Sequence, residues 1–415
     1  MLSIYAIIFY SSDKDVIIIK NNVELLSPAG SLESVHAAIN FGADAVYMGG
    51  SQLQLRAEIA GFDHQKLEEA IKYIHSAGKK AYITVNCFAK NNEIDTAGQY
   101  AKELYNLGAD AVIVSDLGLI YTIRNACPDL DVHVSTQANC LNYASAMVYR
   151  NMGATRIVLG REMNLTEIAE LRDKLPKDVE LEAFVHGAMC MSYSGRCLIS
   201  SFLNDRSGNR GDCTQPCRWN YHLVEHTRPN VFIPIIEDER GSAILSSHDL
   251  NCLSILDQLA NAGIYSFKIE GRMKSPYYVA TVTNAYRHAI DGTGSIKSLQ
   301  QELETISHRP YAEGFYFGHV KKHHNNDGAY TTSHTFVATV KENLGNGFIR
   351  IEERNKFTVG DELEVLSPNS VGLSFIVEEL LENGEKVSSA NKPTYLFDVK
   401  CPYNLAPGDF LRKKA

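Results

Sequence analysis

From Val23 onward the chain alternates two textures. Short runs rich in β-branched and aromatic residues are separated by segments whose apolar positions recur at i, i+3, i+4 and i+7. The first kind predicts strands over 23–28, 43–49, 80–86, 109–115, 131–136, 155–160, 179–185 and 265–270. The second predicts helices such as SLESVHAAINFG, DHQKLEEAIKYIHSAG and EIDTAGQYAKELYNLG, each with one apolar face. An internal echo ties the two together. INFGADAVYMGG, YNLGADAVIVSD, RNMGATRIVLGR and ANAGIYSFKIEGR all set a glycine between helix and strand, where a left-handed cap would stop the helix.

Eight strands with intervening helices predict an α/β chain folded as a (β/α)8 barrel of the TIM type over 22–330, ahead of an open doubly wound sheet. The span between strands seven and eight is too long for one helix. It holds a cysteine-rich loop over 186–219, a hairpin expected over 221–245 and then the helix SILDQLANAG, so the barrel should carry an insertion after strand seven. From His334 the period changes to two, with Gly, Asn and Asp turns, which predicts a small antiparallel β-barrel over 334–415. Such a domain suits either holding RNA or bracing the first domain. Residues 1–21 open on MLSIYAIIFY without a basic stretch or a small-residue cleavage site, and read as an N-terminal extension rather than a signal peptide.

Composition narrows the class. With 415 residues, 45% hydrophobic and 21% charged, the chain buries a large core and needs no staples. No apolar run approaches the ~20 residues that span a bilayer, so a cytoplasmic, membrane-free protein with reduced thiols is expected. A net charge of -9 argues against a protein that coats nucleic acid non-specifically. Local basic clusters run the other way: Arg196, Arg206, Arg210 and Arg218; Lys268, Arg272 and Lys274; and HVKKHH over 319–324. From the residues alone, each reads first as solvated surface.

The unusual chemistry is concentrated in 181–219, where Cys190, Cys197, Cys213 and Cys217, four of nine cysteines, follow a C-x6-C-x15-C-x3-C pattern among glycines. Four thiols in so short a stretch form a ligand set. Disulfides are disfavoured without a secretory context. Structural zinc fits the second gap, and an iron-sulfur cluster accepts the long first gap more readily. Cys87, Cys127, Cys140, Cys252 and Cys401 are scattered and read as buried free thiols, with Cys252 in reserve as an alternative ligand.

The segment Glu182-x-Phe184-x-x-Gly187-Ala188-Met189-Cys190-x4-Gly195-x-Cys197-x-Ile199-Ser200 resembles the signature of the collagenase-like peptidases, peptidase family U32. GNRGDCTQPCRW, SFKIEGRMKSPYYVA and SHRPYAEGFYFG are similar to the branch of that family whose bacterial members act in tRNA uridine hydroxylation. The resemblance covers about residues 22–415. It implies a 4Fe-4S cluster on Cys190, Cys197, Cys213 and Cys217, tRNA as partner, and conversion of wobble uridine to 5-hydroxyuridine with prephenate as co-substrate. Members of the family can act in pairs, which leaves room for a paralogous partner. The alternatives are a peptidase and a non-catalytic cluster-bearing partner of another enzyme.

In a (β/α)8 barrel the chemistry sits where strands end. Those ends supply Arg161 and Arg272 here, with Arg56 on a nearby loop, as candidates to bind a small dicarboxylate through planar guanidinium forks. Each arginine reads equally as the ion-pair partner of Glu162, Glu182 or Glu270. Glu182 and His186 are the acid-base candidates, His186 also as a support residue at a strand end. A hydrolase could pair His186 with Cys190, but H-E-x-x-H, G-x-S-x-G, P-loop and dinucleotide fingerprints are all absent from the sequence.

Overall fold

The computed structural model describes Ile19 and residues 22–55, 61–190, 192–219, 237–238, 241–242, 248–318, 330–368 and 370–415. Eight parallel strands close into a barrel: β1 (Glu24–Pro28), β2 (Ala45–Gly49), β3 (Lys80–Val85), β4 (Ala111–Val114), β5 (Asp131–Val134), β6 (Arg156–Val158), β7 (Glu180–Ala188) and, after the insertion, β9 (Ser266–Ile269). β9 pairs with β1 on one side and with β7 on the other, which closes the ring. All eight expected strands are present, most a residue or two shorter at their ends. Strand seven instead runs on to Ala188, because β8 (Asp249–Asn251) pairs antiparallel with its last residues.

Local chemistry sets the helix ends. Ser31, Asp63, Asp116, Asn142, Asn164 and Ser275 each accept a backbone N–H in the first turn of the helix they precede. At the other end the four echoed glycines, Gly42, Gly108, Gly153 and Gly263, all have φ between 92° and 99°. Three of these joints also lie against an arginine side chain, and a Cβ at Gly263 would sit 2.3 Å from Arg172 Cγ. The residue therefore satisfies both a backbone and a packing demand.

Outward strand residues and the apolar helix faces form the main core, which includes Leu25, Val46, Ile83, Val112 and Phe267. The barrel interior is unusually polar. Arg156 reaches Glu24 at 2.6 Å, Glu182 at 3.1 Å and Glu180 at 2.7 Å, while Lys268 Nζ lies 2.7 Å from Glu182. Tyr82 and Ser266 donate their hydroxyls to Glu24.

The expected C-terminal β domain is present as an eight-stranded antiparallel sheet wrapped around its own core of Val337, Ile351, Val365, Phe397 and Leu411. It braces the barrel. Phe336 stacks on Tyr277 with 5.0 Å between ring centroids, and Arg412 grips Glu302 at 2.6 and 2.9 Å. Among the described residues no helix is long and apolar enough to cross a membrane. The extension before 22, apart from Ile19, lies outside the described residues, as do the 319–324 basic run and most of the expected hairpin. Of that hairpin, Glu237–Asp238 pairs antiparallel with Gly241–Ser242.

Candidate active site

The insertion after β7 folds back over the mouth formed by the strand ends. Glu162 does much of the anchoring: it accepts the Ser194 N–H at 2.5 Å and the Ser194 hydroxyl at 2.6 Å, pinning a turn in which Ser194 and Gly195 both have positive φ. Arg196 donates to the Gln137 carbonyl at 2.7 Å and lies over the Phe88 ring. Arg210 donates to the Phe88 carbonyl and pairs with Glu93 at 2.7 Å, and its guanidinium holds that carboxyl down near about 2. Arg196 and Arg210 thus fasten the insertion to the loops after β3 and β5.

A cavity of about 210 Å³ lies between insertion and barrel. It is smaller than the ~300–1,000 Å³ typical of drug-sized ligands and suits a single base or a small acid. Cys190, Cys197, Cys213 and Cys217 all line it. Three of these sulfurs accept an N–H from two residues ahead: Ser192 to Cys190 at 3.5 Å, Ile199 to Cys197 at 3.4 Å and Gln215 to Cys213 at 3.4 Å. Such bonds stabilise thiolates that carry a metal group. Among the described residues no three His, Cys, Asp or Glu side chains converge as ligands of a single metal ion.

The barrel side of the cavity carries Tyr47, Thr84, Asn86, Gln137, Arg161, Phe184, Lys268, Glu270, Arg272 and Arg309. Arg272 donates to Thr84 at 2.7 Å and to Gln54 at 3.0 Å. Arg161 donates to the Ala188 carbonyl at 3.1 Å and stacks on Phe184 with 4.0 Å from guanidinium carbon to ring centroid. The side-chain oxygens of Asn86 and Gln137 are buried without hydrogen-bond partners among the described residues.

Two expected acid-base residues stand elsewhere. Glu182 is fully buried in the barrel interior; burial alone would raise its carboxyl, but Lys268 and Arg156 hold it below its ordinary value. Its role is therefore that of a counter-ion beneath the cavity floor. His186 sits among Tyr278, Tyr286 and Tyr311, with Nδ1 3.3 Å from the Tyr286 hydroxyl, and burial pushes its pKa down to about 3. It does not line the cavity, so a hydrolytic pair with Cys190 is not assembled. Arg56 lies outside the described residues. Cys252 is buried away from the cavity, and Cys87, Cys127, Cys140 and Cys401 are buried free thiols as expected.

The family model of Peptidase family U32 matches residues 30–326, and that of the Peptidase family U32 C-terminal domain matches residues 332–412. The chain belongs to peptidase family U32. Within the family it is 36% identical to tRNA hydroxylation protein P of Escherichia coli, over 92% of this chain and 94% of that protein. It is 30% identical to a Collagenase of Porphyromonas gingivalis, over 90% of this chain and 93% of that one. A third relative, the 23S rRNA 5-hydroxycytidine C2501 synthase of Escherichia coli, is 36% identical over 65% of this chain but only 40% of its own length.

The U32 signature thus spans the end of β7 and the first half of the insertion. Sequence reasoning missed Lys268 and Arg309 as cavity residues. Lys268 had a usable signal, since it alternates with Glu270 along the last barrel strand. Arg309 falls within SHRPYAEGFYFG, but its place at the cavity depends on a distant partner: Asp249, sixty residues earlier, binds its guanidinium at 2.7 and 2.9 Å.

Proposed function

We propose that this U32 protein hydroxylates the wobble uridine of tRNA at carbon 5 in the cytoplasm, using a 4Fe-4S cluster held by Cys190, Cys197, Cys213 and Cys217. One observation carries the reading: four cysteines, three with amide N–H groups aimed at sulfur, line the same cavity as the barrel's strand-end side chains. The full-length similarity to tRNA hydroxylation protein P supports the substrate.

The residues present fit the cluster. Zinc needs four ligand atoms about 2.0–2.3 Å from one point. Here the four cysteines line one cavity without converging on a single point among the described residues, which favours a group of several metal atoms over one ion. Bound there, the cluster would supply one-electron chemistry beside the substrate.

The chain's own residues supply recognition. Asn86 and Gln137 line the cavity, and their amide oxygens, which have no partner among the described residues, suit the N3–H donor on the edge of a uracil. Glu270, which accepts the Tyr47 hydroxyl at 3.1 Å, is the carboxylate placed to take up a proton within the cavity. Exposed Tyr193, Phe202 and Trp219 on the insertion offer rings for neighbouring nucleotides to stack on. Arg161 and Arg272 suit the carboxylates of prephenate, the co-substrate that the family resemblance implies.

The test joins two measurements. Anaerobically purified protein should contain about four irons and four sulfides per chain, and cells lacking it should lose 5-hydroxyuridine-derived nucleosides from tRNA. Cys190→Ala or Cys197→Ala should fail to restore them. One zinc without iron, or full restoration by both variants, defeats the reading.

A further inference from the structure

The strand that delivers the first clustered cysteine is gripped at two consecutive carbonyls by two guanidinium groups. Arg161 Nη1 donates to the Ala188 carbonyl at 3.1 Å, and Arg309 Nη2 donates to the Met189 carbonyl at 3.4 Å. Cys190 is the next residue. Beside this segment β8 sets Asp249 against Ala188 and Leu250 against Gly187. Gly187 has φ of 104°, and a Cβ there would lie 2.3 Å from the Glu270 carbonyl oxygen, so the strand end is also packed closely against the loop after β9.

Arg309 is itself fixed by Asp249. Its Nη2 and Nε donate to one carboxylate oxygen at 2.7 and 2.9 Å, and its backbone N–H donates to the other at 3.1 Å. The Asp249 N–H completes the block by donating to the Pro310 carbonyl at 3.1 Å. Both side chains are buried, with 1% and 5% of their surface exposed. The pair has a direction: Arg309 lines the cavity together with the four cysteines, and Asp249 is not among the lining residues. A buried pair is weakly screened, so it acts on the cavity as a fixed dipole with its positive end inward.

We propose that Asp249 and Arg309 are a positioning pair for Cys190, and that the Arg309 cation raises the reduction potential of the cluster. The inference rests on the cluster reading above and adds two residues outside the ligand set. Reduction adds one electron to a cluster already made negative by its thiolates, so a fixed cation at the cavity wall favours the reduced form, and the Asp249 carboxylate behind it moderates that effect. The grip on the Met189 carbonyl acts separately. It fixes the backbone from which the Cys190 side chain leaves the strand, which slows loss of the cluster.

The test is a redox titration of the intact, anaerobically purified, tRNA-free protein followed by electron paramagnetic resonance, together with the rate of iron loss to a chelator. Arg309→Gln removes the cation and should lower the midpoint potential. Asp249→Asn leaves the cation uncompensated and should raise it. Both variants should lose iron about 10–100-fold faster than wild type. A pair that only holds the fold together would move both potentials the same way or leave both unchanged, and either result overturns the assignment of potential; wild-type iron retention in both variants overturns the positioning role. If a single variant does not fold, the double variant Asp249→Asn/Arg309→Gln buries no lone charge and replaces it. It should show a lower potential and faster iron loss, and wild-type values of both would overturn the pair. A wild type that carries zinc without iron defeats the cluster reading and this inference together, whereas a wild-type cluster that both substitutions leave unchanged defeats this inference alone.

Discussion

Replacing Glu182 by glutamine separates a structural carboxylate from a catalytic one. Glu182 is fully buried and meets Lys268 Nζ at 2.7 Å and Arg156 at 3.1 Å. Glutamine keeps the volume but removes the charge. Arg156 retains Glu24 and Glu180, whereas Lys268 loses its only carboxylate partner among the described residues. Removing one member of a buried ion pair costs about 3–5 kcal/mol. At roughly 2–4 °C per kcal/mol, the melting temperature at pH 7 should fall by about 6–20 °C. The pH dependence has a definite sign. The folded carboxyl sits below its ordinary value of 4.5, so its contribution is complete above 4.5 and is lost as the pH falls through the folded value. Wild-type and E182Q melting curves, followed by circular dichroism from neutral to acid pH, should therefore converge in acid. Glu180→Gln is the internal control: that carboxylate is 41% exposed, and its loss should cost no more than about 1 kcal/mol. An E182Q protein that melts within about 2 °C of wild type at pH 7 yet has lost hydroxylation would refute the structural assignment.

Gly263→Ala should destabilise the barrel by about 1–3 kcal/mol in chemical denaturation, because its φ of 99° is strained for alanine and the new Cβ meets Arg172. Gly78→Ala, with φ of 69° and open space around it, should cost only about 1–2 kcal/mol. His186 should show no imidazole titration by NMR between its ordinary 6.5 and about 3. Over that window the unfolded chain takes up a proton that the folded ring refuses, so stability falls as acid is added, and His186→Asn should flatten the slope. Arg412→Ala removes the clamp on Glu302, and limited proteolysis should then release the 334–415 domain faster than from wild type.

Much of the architecture is written locally. Strand periodicity, Ser, Asp and Asn caps, and the four glycines act within a few residues, so each signal survives without knowledge of the fold. That is why the eight strands and the insertion after strand seven could be read directly, as could the change of texture at His334. The clustering of Cys190, Cys197, Cys213 and Cys217 was equally legible, because ligand spacing is also a short-range pattern. Which side chains share the cavity was not. Closing the barrel sets the face on which each strand residue falls, and the register across β7 and β9 shifts between Lys268 and Ile269. That closure puts Glu182 under the floor, His186 in a cage of tyrosines and Lys268 against the cavity. Arg309 is positioned by Asp249 from a distant segment. The sequence alone determined the elements and the clustering of four thiols; only tertiary structure decided which charges are spent on one another and which line the cavity, because that depends on pairings across the closed ring.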